Sequence, residues 1–142
     1  MVVNDAKDNN GNNNGNNNNT KKILLVDDNE VQLSIAEVQL KKEYQVTTAK
    51  SGKEALDYLF HGFIPSLIIL DILMPGMDGW ETFGRLRAIS KLHEVPIVFL
   101  SSINDQKEID RAFDMGAADF LVKPCNSKVF LERIRKAVKK DS

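Results

Sequence analysis

Five side chains suited to phosphate chemistry lie at the ends of short apolar runs in the sequence: three carboxylates, one hydroxyl and one ammonium. They are Asp27, Asp28, Asp71, Ser101 and Lys123. Three carboxylates held close together cannot all be ionised without a compensating cation. Mg²⁺ is the predicted cation, because it is a hard ion that prefers oxygen ligands and often shares its site with a phosphate. No His or Cys occupies these positions, so zinc and other softer metals are not predicted.

A magnesium site beside a carboxylate, an ammonium and a hydroxyl is the equipment of phosphoryl transfer, in which catalysis is mostly positioning and charge neutralisation. Asp71 could attack phosphorus and form an aspartyl phosphate. Lys123 would neutralise the developing charge, and Ser101 would donate a hydrogen bond to a phosphate oxygen. The alternative for each Asp is a plain helix cap or turn residue, because Asp is common at such positions.

The apolar runs indicate the elements that position these side chains. Five runs alternate with five helical patterns, which predicts a parallel sheet covered by helices on both faces. Ligands of such sheets bind beyond the carboxyl ends of the strands, so the five side chains are expected to converge there. The second run is more polar than the others and suits an edge strand. The runs are Ile23–Val26, Val46–Ala49, Leu67–Leu70, Ile97–Leu100 and Phe120–Val122.

The helical patterns carry start signals and apolar stripes. Polar residues at capping-box spacing mark four helix starts, in the pairs Asn29 and Gln32, Ser51 and Glu54, Asp78 and Glu81, and Asp105 and Glu108. Apolar residues then recur with the helical period, which predicts one buried face on each helix. Gly116 is predicted to end the fourth helix. The stripes are Leu33, Ala36 and Leu40; Ala55, Leu56 and Leu59; Trp80, Phe83 and Leu86; Ile109, Ala112 and Phe113; and Val129, Phe130, Ile134, Ala137 and Val138.

Composition divides the 142 residues into a tail and one domain. Residues 9–19 are only Asn and Gly, so residues 1–20 are predicted to form a disordered tail or linker and residues 21–142 one folded domain. The chain has 19 basic and 20 acidic residues, of which the tail holds one basic and two acidic residues. The domain therefore has equal numbers of basic and acidic residues and no basic surplus that would indicate binding to nucleic acid. No apolar run approaches the roughly 20 residues of a membrane span, and no signal peptide is recognisable. A single cysteine, Cys125, excludes an internal disulfide, and a cytoplasmic location is expected.

Four segments together resemble the receiver domain of two-component response regulators, over about residues 21–140. The stretch Asp-x-x-Met-Pro-x-Met-Asp-Gly that begins at Asp71 is the most specific of them. The resemblance implies a flavodoxin-like, doubly wound α/β fold, with a five-stranded parallel sheet in the order 2-1-3-4-5 and five helices. The segments run from Ile23 to Asn29, from Leu70 to Gly79, from Pro96 to Ser102 and from Gly116 to Pro124.

The resemblance also implies how the acidic residues are used. Asp71 would accept a phosphoryl group from a sensor histidine kinase or a histidine phosphotransfer domain. Mg²⁺ would be bound by Asp28, Asp71 and the main-chain carbonyl of Leu73, with Asp27 nearby or acting through a water molecule. The expected function is therefore that of a phosphoacceptor switch, which catalyses only its own phosphorylation and dephosphorylation.

Five more assignments follow from the resemblance. Lys123 would pair with the phosphoryl group, and Ser101 and Phe120 would be the residues that switch on activation. Phe120 stands where many relatives have Tyr, so any hydrogen bond of a tyrosine hydroxyl is absent here. Two positions that tune the phosphoryl lifetime in this family, Leu73 and Ile103, are both apolar. Apolar side chains there cannot orient an attacking water molecule, which predicts slow loss of the phosphoryl group.

Two other functions stay open from the sequence. A haloacid-dehalogenase-like phosphatase also uses an Asp nucleophile, Mg²⁺ and a Lys, but it places the nucleophile after the first strand with an acid two residues on. The residue two after Asp27 is Asn29, which disfavours this alternative. A pseudo-receiver would serve only as a docking module without being phosphorylated, and the complete set of charged site residues argues against it.

Partners beyond the phosphoryl donor are expected as well. A downstream protein target, or an output domain elsewhere in the same protein, would read the switch, and direct contact with nucleic acid or membrane is not expected from this domain. The chain is either a stand-alone regulator or a fragment of a larger or hybrid protein. The face of the fourth helix, fifth strand and fifth helix has mixed charge that suits a partner or a phosphorylation-dependent dimer, with Asp110, Arg111, Asp119, Phe120, Lys128 and Arg133.

Overall fold

The computed structural model describes residues 20–139, so nearly all of the predicted tail lies outside the described residues. Five strands alternate with five α-helices, as the apolar runs predict. The strands are β1 Lys22–Val26, β2 Gln45–Ala49, β3 Leu67–Leu70, β4 Ile97–Ser101 and β5 Asp119–Val122. The helices are α1 Glu30–Leu40, α2 Gly52–Phe60, α3 Gly79–Arg87, α4 Gln106–Asp114 and α5 Ser127–Lys139, with a 3₁₀ helix at Ser90–Leu92. None of the helices between residues 20 and 139 is long and apolar enough to cross a membrane.

The strands form one parallel sheet in the order β2-β1-β3-β4-β5, which is the predicted order. The last residue of β1, Val26, lies opposite Ala49 of β2 on one side and Leu70 of β3 on the other. The carboxyl ends of these strands are therefore level, and the strand order reverses at β1. As predicted, the more polar strand β2 lies at an edge.

Two hydrophobic cores cover the two faces of the sheet. Leu24 and Val26 of β1 belong to the core under α2, α3 and α4. Ile23 and Leu25 of the same strand belong to the core under α1 and α5. Because both faces are buried, β1 and β3 are apolar at successive positions rather than at alternate ones, as is usual for the central strands of parallel sheets. This covered sheet is the rigid support on which the site residues stand.

The helix caps mostly form as predicted. In three of them the side-chain oxygen accepts a hydrogen bond from the backbone N–H three residues on; these are Asn29, Ser51 and Asp78. The fourth differs, because the Asp105 side chain accepts from the N–H of Lys107, two residues on. Gly116 follows α4 with a φ of +102°, a left-handed conformation that glycine adopts without strain, which confirms the predicted end of this helix.

Two residues of the predicted buried stripes are exposed instead. Phe113 is 46 % exposed and Val129 is 41 % exposed. Each lies beside a buried neighbour, Ala112 or Phe130. One residue along a helix turns the side chain by about 100°, so an adjacent position reaches the core only where the buried stripe is wide. On α4 it is narrow, and Ala112 is its one buried residue. The prediction that Phe113 and Val129 are buried is therefore wrong.

Candidate functional site

The carboxyl ends of four strands bring the predicted site residues together. Asp27 directly follows β1, Asp71 directly follows β3, Ser101 ends β4, and Lys123 directly follows β5. Carboxylate oxygens of Asp27, Asp28 and Asp71 lie within 4.8 Å of one another. Asp27 and Asp71 are only 4 % and 6 % exposed, whereas Asp28 is exposed. The convergence that follows from the strand assignments is thus present in the structure.

The ammonium of Lys123 lies among three acceptors of the described residues. Its Nζ is 2.6 Å from Asp27 Oδ2 and 3.3 Å from Asp71 Oδ2. The third acceptor is Gln32 Oε1, at 2.5 Å. The backbone N–H of Lys123 donates to the Ser101 carbonyl at 2.9 Å, and the peptide bond that follows, to Pro124, is cis. The ammonium is therefore fixed near both buried carboxylates, and it lies closer to Asp27 than to Asp71.

The Asp71 carboxylate is held from its own loop as well as by Lys123. Its Oδ1 accepts a hydrogen bond from the Ile72 N–H at 2.7 Å. Burial raises the pKa of Asp71 above its ordinary value, the positive charge of Lys123 opposes the rise, and the negative charge of Asp27 adds to it. The ionised form of Asp71 therefore depends on nearby positive charge, which is how a divalent cation would also act.

The loop after Asp71 is closed by a glycine at the start of α3. The Gly79 N–H donates to the Ile72 carbonyl at 2.8 Å. A Cβ atom on Gly79 would lie 2.4 Å from the Asp71 carbonyl oxygen and 2.5 Å from the Ile72 Cα, which is closer than real contacts allow. The N-terminus of α3 can therefore lie against the backbone of Asp71 only because residue 79 has no side chain.

Ser101 offers a buried hydroxyl beside Asp71. The residue is 0 % exposed, and its Oγ has no hydrogen-bond partner among the described residues. An unpaired buried hydroxyl costs free energy, so such groups call for a specific explanation. The Ser101 hydroxyl is therefore available to a group that binds beside Asp71.

The acidic cluster fits a hard divalent cation. Its three charged donors are carboxylate oxygens, and Lys123 is the cation already paired with two of the three residues. An open depression of about 610 Å³ gives access to the cluster, and its lining includes Asp28, Asp71, Leu73 and Lys123. Of the two predicted lifetime residues, Leu73 is 57 % exposed in this depression.

The other predicted lifetime residue and the predicted switch residue lie against the core. Ile103 is partly buried against the core on the α3 side of the sheet. Phe120 is buried, and its ring centroid lies 5.9 Å from that of Phe99. Phe99 in turn lies 5.3 Å from the ring of Trp80, over which the guanidinium of Arg111 stacks at 4.1 Å. Phe120 thus occupies an inward position at one end of an aromatic cluster that reaches α3 and α4.

Sequence reasoning assigned Gln32 only to a helix cap. Gln32 does take part in this cap, because its backbone N–H donates to Asn29 Oδ1 at 3.0 Å. The contact of its side chain with Lys123 was missed. No spacing in the sequence indicates this contact, because the two residues are 91 positions apart.

Comparison with known proteins finds relatives that are named as response regulators. A family model described as the response regulator receiver domain matches residues 23–135. The two-component response regulator ORR6 of Oryza sativa subsp. japonica is 42 % identical over 102 residues, which cover 70 % of this chain and 60 % of the rice protein. Response regulator PleD of Caulobacter vibrioides is 32 % identical over 112 residues, which cover 78 % of this chain and 24 % of PleD. The chain therefore spans less than two thirds of the length of each of these curated relatives.

Solved structures show the same architecture. The chemotaxis protein CheY4 of Vibrio cholerae superimposes with a TM-score of 0.78 at 29 % identity, and the match covers 83 % of this chain and 98 % of the other. The predicted flavodoxin-like, doubly wound fold is thus confirmed.

Proposed function

The chain belongs to the response regulator receiver domain family, and we propose that its switch is set by phosphorylation of Asp71. The observation that carries the proposal is the set of groups around this one buried carboxylate. Lys123 supplies positive charge at 3.3 Å, and Ser101 supplies a buried hydroxyl that has no partner within residues 20–139. Together these groups suit an incoming phosphoryl group, which brings both negative charge and hydrogen-bond acceptors.

The proposed step is an in-line transfer from a phosphohistidine of a sensor kinase or phosphotransfer protein. The Asp71 Oδ1 accepts from the Ile72 N–H at 2.7 Å, whereas Oδ2 accepts from the more distant Lys123 ammonium at 3.3 Å, so we assign the less tightly held Oδ2 as the oxygen that attacks phosphorus. A bond forms between phosphorus and the carboxylate oxygen, the bond from phosphorus to the imidazole nitrogen breaks, and its electron pair returns to that nitrogen. Lys123 then pairs with a phosphoryl oxygen, and the Ser101 hydroxyl donates to another.

Asp27, Asp28 and Asp71 are the residues that would hold Mg²⁺, with the Leu73 main-chain carbonyl as a further ligand. Bound there, Mg²⁺ would neutralise charge on the phosphoryl oxygens. The need for a cation follows from the charges present, because a phosphoryl group would otherwise enter a cluster that already holds three carboxylates. Lys123 alone cannot balance them.

We propose that the state of Asp71 is read out through Ser101 and Phe120. Ser101 ends β4, and Phe120 lies on the neighbouring strand β5, opposite Phe99. A hydroxyl drawn toward a phosphoryl group would shift the end of β4 and the packing beside it. The surface of α4, β5 and α5 would change in consequence, and a partner or a second copy of the domain would recognise that change.

The phosphoryl donor is proposed to dock on α1. Three apolar side chains of this helix, spaced by four and three residues, are highly exposed: Val31 at 70 %, Ile35 at 55 % and Val38 at 63 %. Val31 also lines the depression above Asp71. An exposed apolar stripe at the edge of the site suits a protein partner that must bring its phosphohistidine close to Asp71. Such a kinase draws on ATP, so we place the exchange in the cytoplasm.

The remaining assignments concern the rest of the protein. We propose that residues 1–20 are a linker or tail and that residues 21–142 form the switch domain. The curated relatives are longer than the matched region, so an output domain or a separate protein target is proposed to act on the signal. The domain itself is proposed to perform a single phosphorylation and dephosphorylation rather than to turn over an external substrate.

Incubation with a small phosphoryl donor tests the proposal without the cognate kinase. The wild-type chain, given acetyl phosphate and Mg²⁺, is expected to gain one phosphoryl group that hydroxylamine removes. Asp71→Asn should abolish this gain, whereas Asp114→Asn, at an exposed position ending α4, should leave it unchanged. Absence of the acyl phosphate in the wild type would favour a docking module, and steady turnover of a phosphomonoester would favour a phosphatase.

A further inference from the structure

Gln32 is the acceptor around the Lys123 ammonium that the phosphoryl-transfer scheme leaves without a role. Its Oε1 lies 2.5 Å from Nζ, while Asp27 Oδ2 lies at 2.6 Å and Asp71 Oδ2 at 3.3 Å. The two short contacts both belong to groups other than the proposed phosphoryl acceptor. We propose that Gln32 is a positioning residue, which holds Lys123 back from Asp71 in the resting state and so slows phosphoryl transfer.

The start of α1 leaves the Gln32 side chain available for this contact. In a full capping box the Gln side chain would reach back to the N–H of the capping residue, here Asn29. That N–H is already taken, because it donates to Asp27 Oδ1 at 2.9 Å. The backbone N–H of Gln32 is fixed by Asn29 Oδ1 at 3.0 Å. The Gln32 carboxamide is therefore free to turn toward Lys123. Asp27 has two roles in this arrangement, because it occupies the Asn29 N–H and also binds the Lys123 ammonium.

The contact of Gln32 with Lys123 matters because phosphoryl oxygens would compete with Gln32 for the same ammonium. An ammonium has three N–H donors, and the three acceptors around Lys123 account for all of them. Phosphorylation turns Asp71 Oδ2 into an uncharged ester oxygen, so the Lys123 donor on it passes to a phosphoryl oxygen, and a second anionic phosphoryl oxygen competes for one of the two remaining donors. Of the two remaining acceptors Gln32 is the neutral one, and a hydrogen bond between two charged groups is stronger than one to a neutral amide. The contact with Gln32 is therefore the one that is lost.

This exchange predicts opposite effects for two substitutions of Gln32. An interaction present in the resting state but absent in the transition state slows the reaction. Gln32→Leu removes the acceptor at similar size and is expected to speed phosphorylation by acetyl phosphate about threefold, the effect of one exposed hydrogen bond. Gln32→Glu keeps an acceptor, adds negative charge and is expected to slow phosphorylation by a similar factor. General damage to the fold would slow both variants.

Gln39 provides a matched control on the same helix. It also lines the groove beside Lys123, and in the part of the chain that the structure describes it makes no hydrogen bond to Lys123. Gln39→Leu is therefore expected to leave the phosphorylation rate unchanged. The rate at which the phosphoryl group is lost should be nearly equal in wild type and Gln32→Leu, because the contact is already absent in the phosphorylated state.

A second measurement separates this inference from the proposed function on which it rests. The ammonium signal of Lys123 in ¹H–¹⁵N spectra of the resting protein, without any phosphoryl donor, reports its hydrogen bonding directly. Gln32→Leu is expected to speed the exchange of these protons with water, and Gln39→Leu is not. An unchanged signal, or slower phosphorylation of Gln32→Leu, overturns the positioning role. If the wild type forms no acyl phosphate while the signal behaves as expected, the proposed function fails and the contact with Lys123 stands.

Discussion

Two buried carboxylates share one ammonium at the centre of the site. The Asp27 and Asp71 side chains are 5 % and 9 % exposed, and that of Lys123 is 14 % exposed. Leaving one charge of such a group unpaired in the interior is costly, because the desolvation of that charge is no longer repaid by attraction. Lys123 thus stabilises both carboxylates in the resting site, and a change in the charge on Asp71 would alter this balance.

The charge of Asp71 should lower stability at neutral pH in the absence of Mg²⁺. Its pKa is raised in the folded state above the ordinary value of 3.8. The folded state therefore holds the proton more tightly than the unfolded state, so stability is lost as the pH rises through the folded pKa. Asp71→Asn is expected to raise the melting temperature at neutral pH in a chelator.

The sign of this effect fixes its pH dependence. Below the ordinary pKa both states are protonated, so the advantage of Asp71→Asn should shrink when the melting temperature is measured at a pH well under 3.8. Asp114→Asn, at an exposed position, serves as the control and should show no such trend. A melting temperature of Asp71→Asn equal to or below that of the wild type at neutral pH would contradict the account.

The two apolar lifetime positions predict a slowly hydrolysed phosphoryl group. Leu73 is the accessible one, so a hydrogen-bonding side chain there could orient an attacking water molecule. Leu73→Asn is expected to speed loss of the phosphoryl group about tenfold, equivalent to about 1.4 kcal/mol in the barrier. Decay of the purified phosphoprotein measures this, with Leu73→Met as the apolar control. Loss from the wild type within seconds, or no effect of Leu73→Asn, would count against the prediction.

Among the elements, the start of α3 is fixed by backbone contact with the loop after Asp71. Two glycines of this helix make a matched pair for testing that contact. A Cβ on Gly79 would meet the Asp71 carbonyl at 2.4 Å, whereas a Cβ on Gly84 would meet nothing within 4 Å. The same change from Gly to Ala therefore has opposite expected effects at two places in one helix.

Gly79→Ala is expected to destabilise the fold by about 2 kcal/mol or more, because packed backbone must move to admit the methyl group. Gly84→Ala is expected to stabilise it by about 1 kcal/mol, because alanine restricts the unfolded chain and favours the helix. Urea unfolding of both variants measures the two effects. Equal stability of the two variants would show that the start of α3 does not pack closely against the backbone of Asp71.

Helix α4 is joined to α3 by one cation–π contact. Arg111 stacks over Trp80 at 4.1 Å, and Trp80 is the single tryptophan of the chain. Arg111→Leu is expected to lower the unfolding free energy by about 0.5–1 kcal/mol and to change the tryptophan fluorescence. Arg85→Leu loses only a surface pair with Glu81 and should cost less than about 0.5 kcal/mol without changing the fluorescence. Unchanged fluorescence of Arg111→Leu would mean that the stack does not form in solution.

At the scale of the whole molecule, the fold was predictable because its signals are local and repeated. Continuous apolar runs indicate strands buried on both faces, and polar caps indicate where the helices begin. The residues at the strand ends could be grouped from this pattern alone. The roles of Asp71, Lys123 and Ser101 in phosphoryl transfer could be inferred from their chemistry, whereas the strand order, the Mg²⁺ ligands and the switch and lifetime residues required the family resemblance. Periodicity could not measure the width of each buried stripe, which is why Phe113 and Val129 were misplaced.

Contacts between distant side chains could not be predicted in the same way. The contact of Gln32 with Lys123 joins residues 91 positions apart, and it depends on which neighbours already occupy the cap of α1. The cis peptide bond at Lys123 and Pro124 leaves no trace in the residue types, since most such bonds are trans. The contact between Gln32 and Lys123 depends on the three-dimensional arrangement of residues that are far apart in the sequence.

The predicted partner face of α4, β5 and α5 is partly neutralised within the molecule. The Arg133 Nε donates to Asp119 Oδ2 at 2.6 Å, and Arg111 is stacked over Trp80. Asp119, Arg133 and Arg111 are therefore less available to a partner than the sequence analysis suggested. Helix α1 with its exposed apolar stripe shares one face of the sheet with α5, whereas α4 lies on the opposite face.

The central claim is that one carboxylate, that of Asp71, carries the phosphoryl group. Borohydride reduces an aspartyl phosphate to homoserine, which peptide mass spectrometry locates in the sequence. After treatment with acetyl phosphate and Mg²⁺, the account predicts homoserine at position 71 and unmodified aspartate at positions 27 and 28. Homoserine at position 27 or 28, or at no position in the phosphorylated sample, would contradict it.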